Sequence, residues 1–435
     1  MKKDRFDNFD PEVRQLVLSF ENQLNTHMAF MDVESLEVIA DFYLEMHDVL
    51  GLEAVVKYGE QLFPNNSAIK LRRAQLLTIT NQFVSAYNLL VQLVVENPQN
   101  TDVQFAMAIL YSMMGKSDKA VACYLKASQD GYDLDAIFSN IGDEYYKQKD
   151  FDKAVEYYLK AIADNPDESR SLYNLCYIWQ EQHKYERAEQ FFHNHVSEHP
   201  FSSAGWYCLG RIYYHEGNFQ QAVDAFEYSL AADDSNIDTY LSLSDVWRDL
   251  GDYARAVRTL HESIPFSDKS ERLYALYRIG YIYMEQNNYH TASTYFKHVV
   301  TDDPSDAESW YHLGLCNQRL GNLDDAIECY YRVIDLYPDN DQPWLTLIDL
   351  YIEKENYPKA VALLESASAE ADFPEHFVAR LCYCYFKLGL RNRMFNTINK
   401  MAYIYPESLS TLLVTYPDMA LDSEVVNTVN NMLKK

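Results

Sequence analysis

Three histidines in one short segment are the best local candidate for a metal site. His193, His195 and His199 lie in FFHNHVSEHP, and the last two are four residues apart, so they share one face of a helix. Imidazole nitrogens on one helix face are suitable ligands for a transition metal. However, His195 falls at an internal packing position and His199 precedes Pro200. We therefore interpret the three as structural or solvent-exposed histidines and predict no metal site.

Motifs for covalent or cofactor chemistry are missing. The seven cysteines contain no C-x-x-C, and the closest two, Cys382 and Cys384, would face different directions on a helix. The chain has no phosphate-binding G-x-x-x-x-G-K-[ST], no G-x-G-x-x-G, no G-x-S-x-G and no H-E-x-x-H. With 65 Asp and Glu residues, close carboxylate pairs arise by chance and indicate no catalysis. We predict a non-enzymatic protein without cofactors.

The charge balance excludes further classes of function. The 65 acidic residues against 37 Lys and Arg give a net charge of −28, which repels nucleic acids and anionic membrane surfaces. No stretch of 18 apolar residues is present, and the start MKKDRFDNFD is not followed by the apolar core of a signal peptide. We expect a cytoplasmic acidic protein with no nucleic-acid partner and no membrane insertion.

The elements that position the functional side chains follow from an internal period. Alanines recur every 34 residues, with one spacing of 36, at Ala86, Ala120, Ala154, Ala188, Ala222, Ala256, Ala292, Ala326 and Ala360. Glycine or another small residue, an aromatic residue and a proline recur in the same register. Apolar residues spaced three and four apart within each period predict two amphipathic helices per repeat. Because one helix pair cannot bury its apolar face alone, neighbouring repeats must stack.

The repeat resembles the tetratricopeptide repeat (TPR) family. The family's pattern is most complete in Trp310, Leu313, Gly314, Ala326, Tyr330 and Pro338. We divide the chain into eleven repeats: 33–66, 67–100, 101–134, 135–168, 169–202, 203–236, 237–272, 273–306, 307–340, 341–374 and 375–408. The resemblance implies an all-α fold, a right-handed α-α superhelix or TPR solenoid.

The ends of the array lie outside the repeats. We predict that residues 1–32 form an N-terminal cap. Its helix covers 10–31, with Asp10 as N-cap and Pro11 at the first helical position. We predict that residues 409–435 form C-terminal capping helices, which are interrupted at Pro417. The alternative is a homodimer contact through exposed leucines there, such as Leu412 and Leu413. The longer junction 265–272 is the best candidate for a bend.

The resemblance also implies where a ligand binds. In TPR proteins, positions 2, 5, 6, 9, 12 and 13 of each repeat, all on its first helix, commonly face a concave groove. The predicted peptide-binding residues are Arg170, Tyr173, Asn174, Tyr177, Tyr207, Arg211, Tyr214, Tyr277, Arg278, Tyr281, Tyr311 and Arg319. The same positions hold His215, Arg248, Tyr274, His312 and the carboxylates Asp238, Asp245 and Asp249. In the first repeat they form an acidic patch of Glu34, Glu37, Asp41 and Glu45.

Tyrosine and arginine are the residue types most enriched at binding hot spots. The sequence therefore favours a non-catalytic scaffold that binds a protein or peptide segment in the groove. A competing interpretation is that several of these tyrosines only pack between neighbouring first helices. Two other functions compete with the scaffold. One is a peptide-sensing regulator, which would need an output domain, and the other is a groove-based enzyme of unknown chemistry. The Lys/Asn carboxylate clamp of some family members is not predicted, because the residues beside Asn140 and Asn174 do not match it.

Overall fold

The structure, a computed structural model, describes residues 9–26, 31–130, 133–367 and 375–433. These ranges contain 25 α-helices, two short 3-10 helices (Ser128–Asp130 and Pro417–Leu421) and no β-strand. The all-α class predicted from the sequence is confirmed. Among the described residues, no helix combines the length and apolarity needed to cross a bilayer.

Most helices follow one another as pairs, with a first and a second helix joined by a tight turn. The first helices are α2 (Val33–Glu45), α4 (Ser67–Ile79), α6 (Thr101–Met113), α8 (Leu134–Lys147), α10 (Ser169–Glu181), α12 (Ser203–His215), α14 (Ile237–Asp249), α16 (Lys269–Glu285), α18 (Ala307–Arg319), α20 (Asp341–Glu353) and α22 (Glu375–Lys387). The second helices are α3 (Val49–Leu62), α5 (Phe83–Glu96), α7 (Ser117–Ala127), α9 (Phe151–Asp164), α11 (Tyr185–Glu198), α13 (Phe219–Ala232), α15 (Tyr253–Ser263), α17 (Tyr289–Asp302), α19 (Leu323–Leu336), α21 (Tyr357–Ala367) and α23 (Arg391–Ile404). Helices α1 (Pro11–Thr26), α24 (Pro406–Thr415) and α25 (Ser423–Leu433) lie outside the pairs.

The helices cluster into two compact parts, an N-terminal part of residues 1–246 and a C-terminal part of residues 247–435. In the N-terminal part, α1 begins after Asp10, whose Oδ1 accepts a 2.8 Å hydrogen bond from the Glu12 amide. This is the N-cap expected from the sequence. Val17 and Phe20 of α1 are fully buried in one cluster with Leu36 of α2. Residues 27–30 of the predicted 10–31 helix lie outside the described residues.

In the C-terminal part, α24 and α25 share a core with α23. Leu412, Val425 and Val429 are at most 1% exposed and belong to the cluster that contains Ile398. The exposure of Leu412 expected from the sequence is wrong, because the chain itself buries that side chain. A homodimer contact through the terminal helices stays a prediction. The long junction 265–272 is partly helical: α16 begins at Lys269, where Asp268 and Glu271 form a capping box. The bend expected there stays a prediction.

The close approach of the two helices in a pair depends on small residues. The nine repeating alanines are all 0% exposed. The repeating glycines lie under aromatic rings of the second helix: a Cβ added to Gly210 would lie 2.7 Å from Phe226 Cε1, and one added to Gly314 would lie 2.7 Å from Tyr330 Cε1. The space that a side chain would occupy is therefore already taken by the ring.

The turn inside each pair places one residue in the left-handed backbone region. The positive-φ residues recur with the repeat period: His47, Asn81, Gly115, Lys149, His183, Gly217, Gly251, Asn287, Gly321, Glu355 and Gly389. Residues with a Cβ are strained in this conformation, and glycine is not. The glycine of the sequence pattern therefore lets the turn adopt this conformation without strain. In six of the turns a residue other than glycine adopts it.

Neighbouring pairs are joined by indole hydrogen bonds. The Nε1–H groups of Trp206, Trp310 and Trp344 donate to the carbonyl oxygens of Pro200, Pro304 and Pro338 at 2.9–3.0 Å. Each proline closes the preceding second helix, and each tryptophan opens the next first helix. The bond pairs a carbonyl of the connection between two helix pairs that has no helical partner.

We predict that Glu355→Gly stabilises the protein. Glu355 has a φ of 56°, so removing its Cβ relieves strain and should raise the free energy of unfolding by about 0.5–1 kcal/mol after the entropy cost of glycine. Urea unfolding measures the change. The matched control is Glu353→Gly at the end of α20, which should be destabilising by about 0.5–1 kcal/mol. Equal destabilisation by both variants would contradict the prediction.

We predict that Gly314→Leu overpacks the α18–α19 contact. The added side chain must displace the Tyr330 ring, which should cost about 1–3 kcal/mol of unfolding free energy. Glu328→Leu, at an exposed position of α19, controls for the added apolar side chain and should change the thermal midpoint little. An unchanged midpoint for Gly314→Leu would show that the site is not closely packed.

Candidate functional site

The predicted binding residues lie on first helices in both parts of the structure, and each part is considered by itself. In the N-terminal part, α10 carries Arg170, Tyr173, Asn174 and Tyr177, and α12 carries Tyr207, Arg211 and Tyr214. In the C-terminal part, α16 carries Tyr277, Arg278 and Tyr281, and α18 carries Tyr311 and Arg319.

A recurring hydrogen bond links adjacent first helices. In the N-terminal part, Asn174 Nδ2 donates to Asp143 Oδ1 at 3.0 Å, and Arg211 Nη2 donates to Gln180 Oε1 at 3.0 Å. Both bonds join residues 31 positions apart. Because the repeat is 34 residues long, a separation of 31 means that adjacent first helices pack with an offset of nearly one turn. Positions expected to face a groove are thus also positions of helix–helix contact.

The same bond recurs in the C-terminal part. The Tyr277 hydroxyl donates to Glu308 Oε1 at 2.8 Å, and Arg380 makes a two-point ion pair with Asp349 through 2.7 Å bonds. Both pairs are again 31 residues apart. The Glu308 carboxylate and burial raise the pKa of Tyr277 well above its ordinary value, burial being the larger cause.

A saturated polar cluster joins α8, α9 and α10. Asp143 accepts hydrogen bonds from the Tyr158 hydroxyl (2.7 Å) and Asn174 Nδ2 (3.0 Å), and its carboxylate lies 3.3 Å from Arg170 Nη1. Burial raises the pKa of Asp143, and these partners lower it in part. Burial and the neighbouring carboxylate also raise the pKa of Tyr158 strongly. The carboxylate has donors on several sides, so the cluster is suited to holding three helices together.

Arg170 on α10 also binds groups beside this cluster. Its Nε donates to Ser139 Oγ at 3.0 Å and lies 4.0 Å from Glu168 Oε1. The side chain is 47% exposed. Its charge is therefore compensated by carboxylates while one face of the guanidinium remains accessible.

The tyrosines of α10 and α12 differ in exposure. Tyr207 is 8% exposed, and its ring packs edge-on against Tyr173, with centroids 5.3 Å apart. Tyr177 is 45% exposed and contacts the ring of Tyr146 on α8, with centroids 6.3 Å apart. Tyr214 is half-buried and packs against Phe219. Tyr207 thus contributes to helix packing, whereas nearly half of the surface of Tyr177 stays exposed.

Arg211 lies beside the ring of Tyr207. The centre of its guanidinium is 6.0 Å from the Tyr207 ring centroid. Burial raises the pKa of Tyr207, and the nearby Arg211 lowers it in part. Gln180, the hydrogen-bond acceptor for Arg211, is 7% exposed.

In the C-terminal part, aromatic rings surround one histidine. The His312 ring lies 5.4–5.8 Å, centroid to centroid, from the rings of Tyr277, Tyr281, Phe296 and Tyr311. Its Nδ1 is 2.9 Å from the Glu308 carbonyl oxygen, and burial lowers the pKa of the imidazole. The predicted tyrosines of this part are therefore brought together around one histidine, whose charged form is disfavoured by burial.

Three further arginines at predicted groove positions lie outside this histidine cluster. The Arg278 guanidinium lies 5.7 Å from the ring centroid of Tyr274, which is 48% exposed. Arg319 is exposed at the end of α18. Arg248 pairs with Asp249 at 3.2 Å.

The acidic patch of the first repeat contains a cation from its neighbour. Arg72 Nη1 lies 2.6 Å from Asp41 Oδ1, a further pair 31 residues apart. Burial raises the pKa of Glu37, and Arg72 opposes that shift. Sequence reasoning passed over Arg72, Asp143 and Gln180. The 31-residue offset from Asp41, Asn174 and Arg211 is the signal that identifies them.

The three clustered histidines do not converge. His193 is exposed, while His195 is 7% exposed and its Nε2 lies 3.3 Å from Ser202 Oγ. The rings of His195 and His199 are 5.1 Å apart, and burial lowers the pKa of His195. Within the described ranges, no group of three or more His, Cys, Asp or Glu side chains could hold a metal ion. All seven cysteines are buried free thiols.

Family models place the repeats within a known group. Four models described as "Tetratricopeptide repeat" match residues 136–167, 203–236, 277–341 and 319–381.

Two curated proteins share part of this array. "Tetratricopeptide repeat-containing protein trd-1" of Caenorhabditis elegans is 27% identical over 89 residues, covering 20% of this chain and 12% of that protein. "TPR repeat-containing protein MJ1428" of Methanocaldococcus jannaschii is 26% identical over 154 residues, covering 35% of this chain and 26% of that protein. The matches therefore span about a quarter or less of the length of these relatives.

Solved structures were also matched. YrrB, described as "a TPR protein with an unusual peptide-binding site", is 22% identical with a TM-score of 0.35, covering 44% of this chain and 98% of that one. A tetratricopeptide repeat protein from Parabacteroides merdae is 17% identical with a TM-score of 0.37, covering 61% of this chain and 97% of that one.

Tetratricopeptide repeat proteins generally mediate protein–protein interactions. The family models and the curated relatives agree with the 34-residue pattern and the helix pairs. The chain therefore contains tetratricopeptide repeats, which the family models match within residues 136–167, 203–236 and 277–381.

Proposed function

We propose that this protein is a non-catalytic scaffold that binds a protein or peptide segment across its first helices. The observation that carries the proposal is Tyr177. Its ring is held by Tyr146 of the preceding first helix, yet 45% of the residue remains exposed. A tyrosine held in place offers a large apolar surface at little entropic cost, which is the property of a hot-spot residue.

The arrangement of the helices suits an extended ligand. Packed helices lie about 8–10 Å apart, and an extended chain advances about 3.3 Å per residue. A segment that crosses consecutive first helices therefore presents a side chain to each helix about every third residue. Along such a path in the N-terminal part lie Asn140, Arg170, Tyr177 and Tyr214, each of which keeps some exposed surface.

The chemistry of the described residues supports binding more than catalysis. Asp143 is saturated with hydrogen bonds from Tyr158 and Asn174. The His312 ring is enclosed by aromatic side chains, and burial disfavours its charged form. Both side chains are thus engaged in contacts that hold helices together, which supports a structural role over an acid–base role.

We predict that a photo-crosslinking residue at position 177 captures a protein partner. Replacing Tyr177 with benzoylphenylalanine in the full chain and irradiating the native lysate should yield a discrete crosslinked species, identified by mass spectrometry. The same replacement at Tyr228, which is 57% exposed on the second helix α13, is the matched control and should yield none. Tyr177→Ala should then weaken binding of the identified partner about fivefold or more, the loss associated with truncating a contributing hot-spot residue.

Two results would contradict this placement. Equal crosslinking from positions 177 and 228 would indicate non-specific capture. Crosslinking of one partner only from position 37 on α2 would move the site to the acidic patch around Glu37 and Asp41, and would reverse the expected charge of the ligand.

A further inference from the structure

One half-buried arginine on the proposed binding face differs in its electrostatic surroundings from the ion-paired arginines of other first helices. Arg170 pairs with Asp143, Arg72 with Asp41 and Arg380 with Asp349. Arg211 forms no ion pair with any side chain in the described part of the chain. Its hydrogen-bond acceptor is the neutral Oε1 of Gln180.

The neutral surroundings of Arg211 extend to its other neighbours. Burial opposes its charged form, and the groups that interact with its charge are the Tyr207 hydroxyl, the thiols of Cys176 and Cys208, and the imidazole of His215. Asp238 on α14 is close enough to contribute to the raised pKa of Tyr207, but it makes no ion pair with Arg211. In a chain with a net charge of −28, a half-buried cation without a carboxylate partner is unusual.

The second observation concerns the Gln180 side chain. The residue is 7% exposed, and its Nε2 is buried without a hydrogen-bond partner. A buried amide donor without an acceptor is costly, and native structures contain few of them. Because Oε1 of the same amide accepts from Arg211 Nη2 at 3.0 Å, the unpaired donor lies beside the uncompensated cation.

We propose that Arg211 and Gln180 form a binding site for a carboxylate of the ligand segment, an inference that rests on the proposed function. Gln180 Nε2 lacks an acceptor, and the Arg211 guanidinium has five N–H donors, of which one binds Gln180 Oε1 and another interacts with the Tyr207 hydroxyl. A carboxylate has two acceptor oxygens, one for the guanidinium and one for the amide. The terminal torsion of glutamine is broad, so a small rotation turns Nε2 toward the ligand.

The charge of the whole chain restricts which carboxylates reach the site. The net charge of −28 repels a strongly acidic segment at long range, although salt reduces this effect beyond about 8 Å. At contact distance the uncompensated cation dominates. The site therefore favours a single carboxylate flanked by neutral or basic residues over a run of acidic ones.

Defined small probes test the site in the full chain. Capped glutamate (N-acetyl-glutamate N-methylamide) supplies a side-chain carboxylate, N-acetylalanine supplies a chain-terminal carboxylate, and capped glutamine is the neutral match of the first. Each is titrated at constant ionic strength while NMR follows the side-chain N–H signals of Gln180 and Arg211. We expect at least one carboxylate probe to shift both signals with a dissociation constant of roughly a millimolar, and capped glutamine to leave them unchanged. The probe that binds more tightly identifies the source of the carboxylate.

Two variants and a control sharpen the test. Arg211→Gln should weaken binding of the carboxylate probe by about tenfold or more, because a charged hydrogen bond is lost. Gln180→Glu places an internal carboxylate beside Arg211, so it should weaken probe binding at least as much without lowering the thermal midpoint. Arg187→Gln removes an exposed cation from α11 and should leave probe binding unchanged. Circular dichroism verifies the fold of each variant.

The carboxylate site is refuted if capped glutamine shifts the same signals, or if a folded Arg211→Gln or Gln180→Glu variant binds the probe as well as the unmodified chain. These outcomes are separate from the scaffold proposal. Crosslinking at position 177 without probe binding would retain the protein partner and remove the carboxylate site. Probe binding without crosslinking would instead assign the site to a free carboxylate ligand.

Discussion

The contact between one first helix and the next is the constraint on which the rest of this structure depends. Its recurring form is a polar bond between residues 31 apart, as in Asn174 with Asp143 or Arg380 with Asp349. A helix pair buries its own alanines and glycines between its two helices. The other side of its first helix is covered by the neighbouring pair. The same side chains therefore hold the array together and form its candidate binding face. A ligand on that face binds to residues already positioned by helix packing.

This dual role explains the uneven exposure of the tyrosines. Tyr207 is almost fully buried against Tyr173, while Tyr177 keeps nearly half of its surface exposed. Both residues stand at groove positions of the repeat, so position alone does not separate packing from binding. The difference comes from the neighbouring helix: Tyr207 has α13 and α14 against it through Phe226 and Ser242.

The sequence predicts the repeating features well and the individual contacts poorly. The 34-residue period locates the buried alanines, the close glycines and the two-helix pattern, because each depends only on local periodicity. The partner of Arg211 could not be predicted, because Gln180 is distant in sequence and only the offset between adjacent helices brings it near. The burial of Leu412 was missed for a related reason, since α24 is covered by α25 rather than left exposed. The boundaries of the eleven repeats stay a prediction.

The proline carbonyls bound by indole groups have a practical consequence. The chain has five tryptophans, and three of them, Trp206, Trp310 and Trp344, stand at boundaries between consecutive helix pairs with their N–H groups in a defined bond. The other two, Trp179 and Trp247, are buried within the helix layers. Indole emission is sensitive to hydrogen bonding and solvent, so the fluorescence of these three tryptophans reports on the connections between consecutive helix pairs. Separation of adjacent pairs and loss of helix would thus give different optical signals in the same sample.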